Sequence, residues 1–477
     1  MMITRHSRPA AGSLGLSMEG NGAGTRLGLG LSLFAVASGF LYAFFALAMG
    51  GWPLANPFPL PRAEYRLVYS VLFLLLFGLL LAASWLVFRS ARDDGPTLGV
   101  ILGFAVLFRV LLLPTPPVLS GDIYRYVWDA RVLASGGNPY LSAPADFDAP
   151  EVKNEPIYRH QNRPLVRTIY PPLAQASFGV VRAVGGESVT AMKALMLLGD
   201  LASILILVHL LRTLGLPRSR VILYAWHPLA VFEVAGSGHV DALAIPLILL
   251  AVLAWQRGRG AAAGAALGAA ALIKIYPILL LPAFFGKRRS PLLLGCAVTL
   301  LAGYLPFLPQ TGWQVLGHLP RYVADPHEVF NPSLMGLVIL LGWRFSTAPV
   351  LWASWIGRAA LLGTLAWLAR REATDPQALL ARIFVVATAT TLLTLTLHPW
   401  YLLWIVPFLA VQPRPAWIYL SGTVVLSYAF YIVASPTRIL IGVLEYLPFL
   451  LLLYWQLRRP AVVTPVAGRL GFAREMP

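Results

Sequence analysis

Residues 120–170 read SGDIYRYVWDARVLASGGNPYLSAPADFDAPEVKNEPIYRHQNRPLVRTIY, a hydrophilic stretch between apolar runs that are long enough to cross a bilayer. The stretch opens with Asp122 and Asp129, and Arg125 lies between them. At 100° per residue, spacings of three, four and seven bring these side chains to one face of a helix. The sequence therefore places two acids and a base where an apolar wall meets water.

A short helix is expected at the start of this stretch. Ser120-Gly121-Asp122 is a suitable beginning, and Gly136-Gly137-Asn138-Pro139 is a clear stop, with glycine at the helix end and proline just beyond. The Pro-rich residues after that stop are expected to lie against the membrane surface. Tyr170-Pro171-Pro172 then begins a second interfacial piece rather than a membrane span.

The composition indicates a membrane protein. The chain has 477 residues, of which 58% are hydrophobic, and its mean hydropathy is +0.71. Only 12% are charged, against about 25% in soluble domains. The net charge of +17 comes from clusters at the ends of apolar runs, as in cytoplasmic loops, which argues against nucleic acid as a partner. Cys296 is the single cysteine, so a disulfide framework and a thiolate metal site are excluded.

The apolar runs predict an all-α polytopic membrane protein, a bundle of about 12–14 transmembrane helices with an extracytoplasmic active-site loop. We expect a disordered cytoplasmic tail at 1–26, a single transmembrane domain at 27–459 and a cytoplasmic tail at 460–477. The positive-inside rule places a first outer loop at 115–187 and a second at 309–332.

Individual spans are predicted from the same pattern of apolar runs and basic clusters. Residues 259–286 are short for two crossings and predict two stubby or broken helices, while 333–343 are too short to cross. Three further apolar runs end at Arg458 and Arg459. The remaining spans are expected at roughly 27–49, 67–88, 97–113, 188–211, 219–236, 240–256, 291–308, 349–369 and 378–396.

Unusual polar residues converge on the outer side of this topology. Ionisable side chains near a membrane interior are costly and usually functional, so these residues are the candidate site. They are Asp122, Arg125, Asp129, Tyr170, His239, Asp241, Lys274, Tyr276, His398 and Tyr401.

Several of these residues also have a purely structural interpretation. Asp122 can cap its helix, Asp129 can pair with Arg125 four residues away, and Lys274 can extend its charge to the interface. The same holds for three residues at ends of apolar runs, which can terminate helices or lie hydrogen-bonded in the interior: His239, Asp241 and His398.

Cofactor sites leave little trace in the sequence. His239-Val240-Asp241 offers two hard ligands but lacks a third at a diagnostic spacing. The chain also lacks a Gly-rich phosphate loop after a strand, which a nucleotide donor in a Rossmann-type domain would need. We predict no metal and no other cofactor, and the sequence leaves a requirement for a divalent cation open.

The ordered polar motifs resemble those of a known family. The pattern from Asp122 to Arg131, with Gly137-Asn138-Pro139-Tyr140 and Tyr170-Pro171-Pro172-Leu173 after it, resembles the first outer loop of integral-membrane glycosyltransferases of the GT-C fold. The chain is similar to the polyprenol-phosphate-mannose-dependent mannosyltransferases, which include glycosylphosphatidylinositol mannosyltransferase I and the bacterial alpha-mannopyranosyltransferases. Further markers are Trp226-His227-Pro228-Leu229 leading to Gly236-Ser237-Gly238-His239, Lys274-Ile275-Tyr276-Pro277 and His398-Pro399-Trp400-Tyr401.

This resemblance implies transfer of a hexose, expected to be mannose, from a polyprenyl-phosphate donor to a lipid- or glycan-linked acceptor. The reaction would run with inversion on the extracytoplasmic face of the plasma (inner) membrane. An acid of the first outer loop acts as general base in the family, which here points to Asp122 and in second place to Asp129. The leaving phosphate needs positive charge and donors. Residues expected to hold donor phosphate or substrate are Arg125, Arg131, Tyr170, His239, Lys274, Tyr276, His398 and Tyr401.

Two features depart from the family pattern. Eukaryotic relatives carry an Asp-X-Asp pair in this loop, whereas Asp122 is followed by Ile123 and Tyr124. The loop usually comes after the first span, whereas three spans are predicted before it here. An even number of extra spans preserves the side of the membrane on which the loop lies.

Two other function classes are compatible with the sequence. A transporter or lipid flippase would favour charges near mid-span and paired broken helices in matching halves. A non-catalytic membrane scaffold would tolerate substitution of the Asp122 loop. Sugar transfer by the purified protein separates the glycosyltransferase interpretation from both.

Overall fold

The structure is a computed structural model, and it describes residues 16–50, 62–90, 93–147, 155–286, 289–326 and 328–458. Over these residues the protein is helical and has no β-strand, only one isolated parallel bridge between Phe330 and Thr396. The predicted all-α polytopic class is confirmed.

Seven helices in the described ranges are long and apolar enough to cross a membrane. An eighth crossing results if Arg289–Tyr304 and Leu308–Ala324, which meet at a bend of 62°, count as one span. The predicted count of about 12–14 spans is therefore higher than the number of span-length helices described. The seven helices are Leu16–Ala48, Arg62–Ser90, Gly95–Leu112, Val189–Thr213, Pro349–Ala369, Pro376–Leu393 and Ser435–Arg458.

The other apolar runs form shorter helical pieces, many of which begin with or contain proline, whose missing N–H and fixed φ interrupt a long helix. The shorter α-helices are Asp122–Ala134, Pro156–His160, Pro172–Gly185, Ile222–Ala225, Pro228–Ala230, Asp241–Gln256, Gly260–Ile273, Arg289–Tyr304, Leu308–Thr311, Leu319–Ala324, Leu334–Gly342, Val406–Val411 and Pro415–Thr423. The 3₁₀ helices are Pro144–Asp146, Arg218–Val221, Tyr276–Phe284, Gly312–Leu316, Pro399–Leu402 and Val424–Tyr431, and Val231–Gly236 is a π-helix.

The first helix begins at Leu16, earlier than the predicted span at 27. Residues 16–26 are therefore helical rather than disordered, since extending an existing helix needs no new nucleus. Residues 1–15 and the predicted tail at 460–477 lie outside the described residues.

The predicted span at 219–236 is wrong in form. Pro228 lies in its middle, and the segment is a chain of short helices rather than one continuous helix. Every residue from Val221 to Val240 is buried, so this segment is an interior core element. Irregular backbone at membrane depth is tolerated where protein surrounds it.

A buried ion pair fixes this core element to its neighbours. The Arg109 guanidinium pairs with Asp200, and its Nη1 donates 2.6 Å to the carbonyl oxygen of Ala225. Tyr224 donates its hydroxyl to the same carboxylate. The side chains of Arg109 and Asp200 are both fully buried, so the pair ties three segments together inside the bundle.

The small-residue run forms a close helix contact, as its composition predicts. Gly264, in the Gly260–Ile273 helix, approaches the Leu292 backbone so closely that an added Cβ would lie under 3.0 Å from the Leu292 carbonyl oxygen. Gly295, in the facing Arg289–Tyr304 helix, approaches the Ala261 carbonyl in the same way. The expectation of stubby helices at 259–286 is confirmed by the 14-residue helix and the 3₁₀ helix Tyr276–Phe284.

Candidate active site

Asp122 is the first residue of the predicted loop helix, which the structure places at Asp122–Ala134. The helix ends before Gly136, whose φ of 79° is favourable for glycine. Gly121 is the N-cap residue and makes no side-chain cap bond, and the Asp122 Oδ1 accepts 2.9 Å from Asn162 Nδ2. The Asp122 side chain is 26% exposed, so its carboxylate faces an accessible space rather than the helix amides.

Asp129 lies inside the protein and has partners at both oxygens. Arg125 Nε donates 2.7 Å to Oδ1, and Gln175 Nε2 donates 2.8 Å to Oδ2. Arg125 also donates from Nη1 to the Val166 carbonyl at 2.9 Å. Asp129 is fully buried, which leaves the Arg125–Asp129 pair directed into the fold rather than toward substrate.

Tyr170 packs in an aromatic cluster under the same helix. Its ring lies 4.8 Å from that of Tyr126 and 5.8 Å from that of Phe178, both edge to face. Burial raises the pKa of Tyr170 well above its usual value, so the phenol keeps its proton. Tyr126 accepts at its hydroxyl from the Val240 amide at 3.4 Å, which connects this cluster to the turn that carries His239.

His239 lies between two carboxylates and forms a hydrogen bond with neither of them. Its Nδ1 lies 3.8 Å from Asp122 Oδ2, and its Nε2 lies 3.2 Å from Glu233 Oε2. The imidazole is 1% exposed and the Glu233 side chain is fully buried. The His239 ring stacks on Trp400 with centroids 4.1 Å apart and an interplanar angle of 16°.

His398 continues this stack on the other face of Trp400. The two centroids are 4.4 Å apart with an angle of 2°, and Phe330 covers the far face of His398 at 4.5 Å. Burial lowers the pKa of His398 to about 3; Asp122 raises it, whereas His239 and Lys274 lower it further. At neutral pH this imidazole is therefore uncharged and can offer a hydrogen bond but not a positive charge.

Lys274 comes directly after the Gly260–Ile273 helix and faces a cavity. Its Nζ donates 2.5 Å to Asp241 Oδ2 and lies 5.2 Å from the centroid of the Tyr401 ring. The Tyr401 hydroxyl shares a 2.8 Å hydrogen bond with that of Tyr322. The Lys274 charge is thus paired on one side by a buried carboxylate and bounded by two phenols on the other.

The cavity beside Lys274 has a volume of about 340 Å³ and runs into the apolar bundle. Lys274, Tyr322, Glu328 and Tyr401 form a polar part of its lining. The rest is supplied mainly by the helices Pro349–Ala369 and Pro376–Leu393 and by the 3₁₀ helix Tyr276–Phe284, through Leu361, Ala387, Thr390, Leu279 and Leu280. The lining of the cavity therefore combines charged and polar side chains with apolar ones.

The structure unites only part of the predicted site. Asp122, His239, Lys274, His398 and Tyr401 are linked through the contacts above. Tyr276 also lines the cavity, where its ring stacks on Trp404 at 5.6 Å, and Tyr170 lies behind the site. Arg131 is directed elsewhere, because its guanidinium is paired at 2.5 Å with both Glu155 and Glu187.

Several contact residues of this region were not among the candidates, including Asn162, Glu233, Tyr322 and Trp400. Glu233 has a sequence signal, since it is a lone acid within an apolar run, the kind of residue that is costly to bury. Asn162 and Tyr322 lie in the two predicted outer loops, Tyr322 within the short helix Leu319–Ala324, and one sequence offers nothing to distinguish them from their neighbours.

Metal-ligating residues do not gather in the part of the chain that the structure describes. No group of three or more His, Cys, Asp or Glu side chains there is arranged to hold a metal ion. The expectation that the protein needs no cofactor stays a prediction.

Comparison with known proteins gives one finding. Residues 26–286 match the family model described as "Alpha-(1->6)-mannopyranosyltransferase, N-terminal domain". Neither the curated proteins nor the solved structures gave a match. The matched range holds Asp122, His239 and Lys274, whereas His398 and Tyr401 lie beyond it.

Proposed function

We propose, from the premise that the chain belongs to the alpha-(1->6)-mannopyranosyltransferase family, that it transfers mannose from a polyprenyl-phosphate donor to a glycan or glycolipid acceptor. The family makes the protein a glycosyltransferase that transfers mannose, and its helices make it a multi-pass membrane protein. The donor, the acceptor, the side of the membrane and the roles of individual residues are our proposals.

Asp122 is the general base in this proposal. Its carboxylate is partly exposed, does not cap the helix and lies next to His239, whose ring stacks on the same Trp400 as the ring of His398. An acceptor hydroxyl oxygen forms the new bond to the anomeric carbon while its proton passes to Asp122. The bond from the anomeric carbon to the donor phosphate breaks at the same time, and the configuration inverts.

Lys274 stabilises the leaving phosphate. An ammonium group has three donors, and Asp241 takes one of them at 2.5 Å. The remaining donors are available to phosphate oxygens at the polar end of the cavity, together with the hydroxyls of Tyr322 and Tyr401. The departing group is already a stable anion, so the step needs no general acid.

The observation that carries the proposal is the cavity whose lining combines Lys274 with apolar side chains of the surrounding helices. A nucleotide-sugar has no apolar tail to place there, whereas a polyprenyl phosphate sugar has a phosphate for Lys274 and a hydrocarbon chain for the lining. A lipid donor therefore accounts for both parts of the cavity. Our proposal puts the site on the extracytoplasmic face of the plasma membrane, in line with the charge distribution of the loops.

The test is mannose transfer by the purified full chain in lipid nanodiscs. Radiolabelled polyprenyl-phosphate mannose is compared with radiolabelled nucleotide-linked mannose in the presence of a manno-oligosaccharide acceptor. We expect product from the lipid donor alone. Equal transfer from the nucleotide donor would overturn the donor assignment.

Lys274 gives the second part of that test. Lys274→Met should raise the donor KM and lower kcat, because both the bound phosphate and the departing anion lose their positive partner. Lys274→Arg keeps the charge and is the matched control. Unchanged kinetics in Lys274→Met, with normal expression, would remove this residue from the site.

A further inference from the structure

The Asp122 carboxylate has a polar neighbour on each of two sides. Asn162, which is exposed to solvent, donates from Nδ2 to Oδ1 at 2.9 Å. His239 Nδ1 faces Oδ2 at 3.8 Å from the protein interior. The base proposed above is therefore partly accessible to solvent and has His239 next to it on the side of the protein interior.

Glu233 stands behind His239 in the same line. It belongs to the π-helix Val231–Gly236, and such wide turns are found disproportionately at functional sites. Tyr428 donates its hydroxyl to Oε1 at 2.8 Å, and Oε2 lies 3.2 Å from His239 Nε2. A fully buried carboxylate is costly unless a charged or donating partner faces it.

Trp400 fixes the plane of the imidazole between these two acids. Its ring lies 4.1 Å from that of His239 and nearly parallel to it. Because Trp400 covers only a face of the imidazole, the two ring nitrogens still point in the ring plane toward Asp122 and Glu233. Contact with Trp400 keeps the imidazole in the plane that contains both carboxylate contacts.

We propose that His239 and Glu233 are positioning residues that orient the Asp122 carboxylate for proton abstraction from the acceptor. This inference rests on the proposed role of Asp122 as the base. The two ring nitrogens of His239 face Glu233 and Asp122, so the position of the imidazole affects where the Asp122 carboxylate can lie. The 3.8 Å separation shortens in the reactive complex, because catalytic hydrogen bonds are often long before substrate binds.

The first experiment replaces the two nitrogens while keeping the stack. In His239→Phe a ring remains against Trp400, but both carboxylates lose their partner. We expect kcat to fall by about 10- to 100-fold, the cost of a misplaced reacting group, while the donor KM stays within about twofold. His209→Phe is the control, since His209 contacts Arg257 outside the site.

A double-mutant cycle separates positioning from a structural role. A residue that acts through Asp122 has nothing left to orient in Asp122→Asn, so adding His239→Phe to that variant should cause no further loss of residual transfer. A loss of the same factor in both backgrounds would show that His239 acts on folding or packing and would overturn the proposal. Thermal unfolding of each variant is measured beside the kinetics.

Glu233 supplies an independent readout. Glu233→Gln keeps the shape and one acceptor oxygen but removes the charge, and we expect a fall in kcat that again disappears in the Asp122→Asn background. Wild-type kcat in both His239→Phe and Glu233→Gln, with Asp122→Asn inactive, would overturn the positioning role and leave the proposed base intact. Full activity of Asp122→Asn would instead overturn the base assignment, and the positioning role with it.

Discussion

Arg125 and Asp129, one helical turn apart, form an ion pair of 2.7 Å in which both side chains are buried. Asp129 is saturated by Arg125 and Gln175, while Asp122 at the start of the same helix is partly exposed. The sequence names Asp122 first and Asp129 second as the general base, and the structure places the first at a partly exposed position and the second in the interior. The difference leads to contrasting predictions for the same Asp-to-Asn change.

Asp122→Asn should lower kcat for mannose transfer by about 10²- to 10⁴-fold, the usual contribution of acid–base catalysis. Its thermal stability should be unchanged, because Asn162 still finds an acceptor at position 122. Initial rates and unfolding curves of the purified variant measure both quantities. Near-normal rates with a normal unfolding curve would contradict the assignment.

Asp129→Asn should act on stability instead. Removing one member of a buried ion pair leaves the other charge without compensation and typically costs about 3–5 kcal/mol. We expect poor yield and a lower unfolding temperature, with residual activity in proportion to folded protein. A stable Asp129→Asn protein whose kcat has fallen about 100-fold would move the base to this residue.

Filling the groove should impair the lipid donor selectively. Leu361 lines the cavity on the Pro349–Ala369 helix, and Leu361→Trp places a larger ring in the path of the hydrocarbon chain. We expect the donor KM to rise, more for a long polyprenyl chain than for a short one. Leu362→Trp, on the next residue and 65% exposed, is the matched control. Equal effects of the two changes on donors of both lengths would argue against the groove.

The close glycine contact should be sensitive to a single methyl group. An added Cβ at Gly264 would collide with the Leu292 carbonyl, whereas at Gly363 it meets nothing within 4 Å. Gly264→Ala should therefore lower the unfolding temperature in detergent, while Gly363→Ala leaves it unchanged or raises it slightly. Similar unfolding temperatures for the two variants would show that the helices adjust without cost.

His398 should make the fold sensitive to acid. Burial lowers the pKa of His398 to about 3. As the pH falls below about 6.5, this imidazole therefore takes up a proton in the unfolded chain but stays neutral in the folded protein. The stability that this difference provides is fully present above about pH 6.5 and falls by up to about 1.4 kcal/mol per pH unit below it. The loss at pH 5 is about 2 kcal/mol on that slope.

Unfolding at pH 7.5 and pH 5 in wild type and His398→Gln measures this effect. The variant should lose less stability on acidification, since the titrating group is gone. His160→Gln is the control, because His160 is exposed in the loop. An identical acid response of His398→Gln and wild type would contradict the prediction.

Periodicity and capping signals in the sequence predict the long helices well. The first three spans and the loop helix at Asp122 lie close to their expected positions because long apolar runs and a Gly-Pro stop are local signals. The segment from Arg218 to Gly236 is different, since it is as apolar as a span but almost entirely enclosed by other helices. Hydropathy cannot separate contact with lipid from contact with protein, which is why the predicted number of spans exceeds the number of span-length helices in the described residues.

In the candidate site, too, the sequence predicts what depends on local motifs but not what depends on tertiary packing. The motifs at Asp122, His239, Lys274 and His398 identify residues that meet in space, although they are far apart in the chain. The direction of each side chain is not a local property, so Arg131, on the same helix as Asp122, was included although it pairs with Glu155 and Glu187. The contact from Asn162 depends on the path of the intervening loop, which periodicity does not describe.

The cavity is built from two stretches of chain, and the family model covers only the first of them. The match ends at residue 286, after Asp122, His239 and Lys274, whereas the helices that form much of the apolar lining begin at Pro349. If the donor is the proposed polyprenyl phosphate, mutations of apolar residues in the helices after Pro349 can reshape the groove for a longer or shorter chain without changing Asp122 or Lys274. A chimera that joins residues up to 286 of this chain to the later helices of a relative is thus a natural route to new donor preferences.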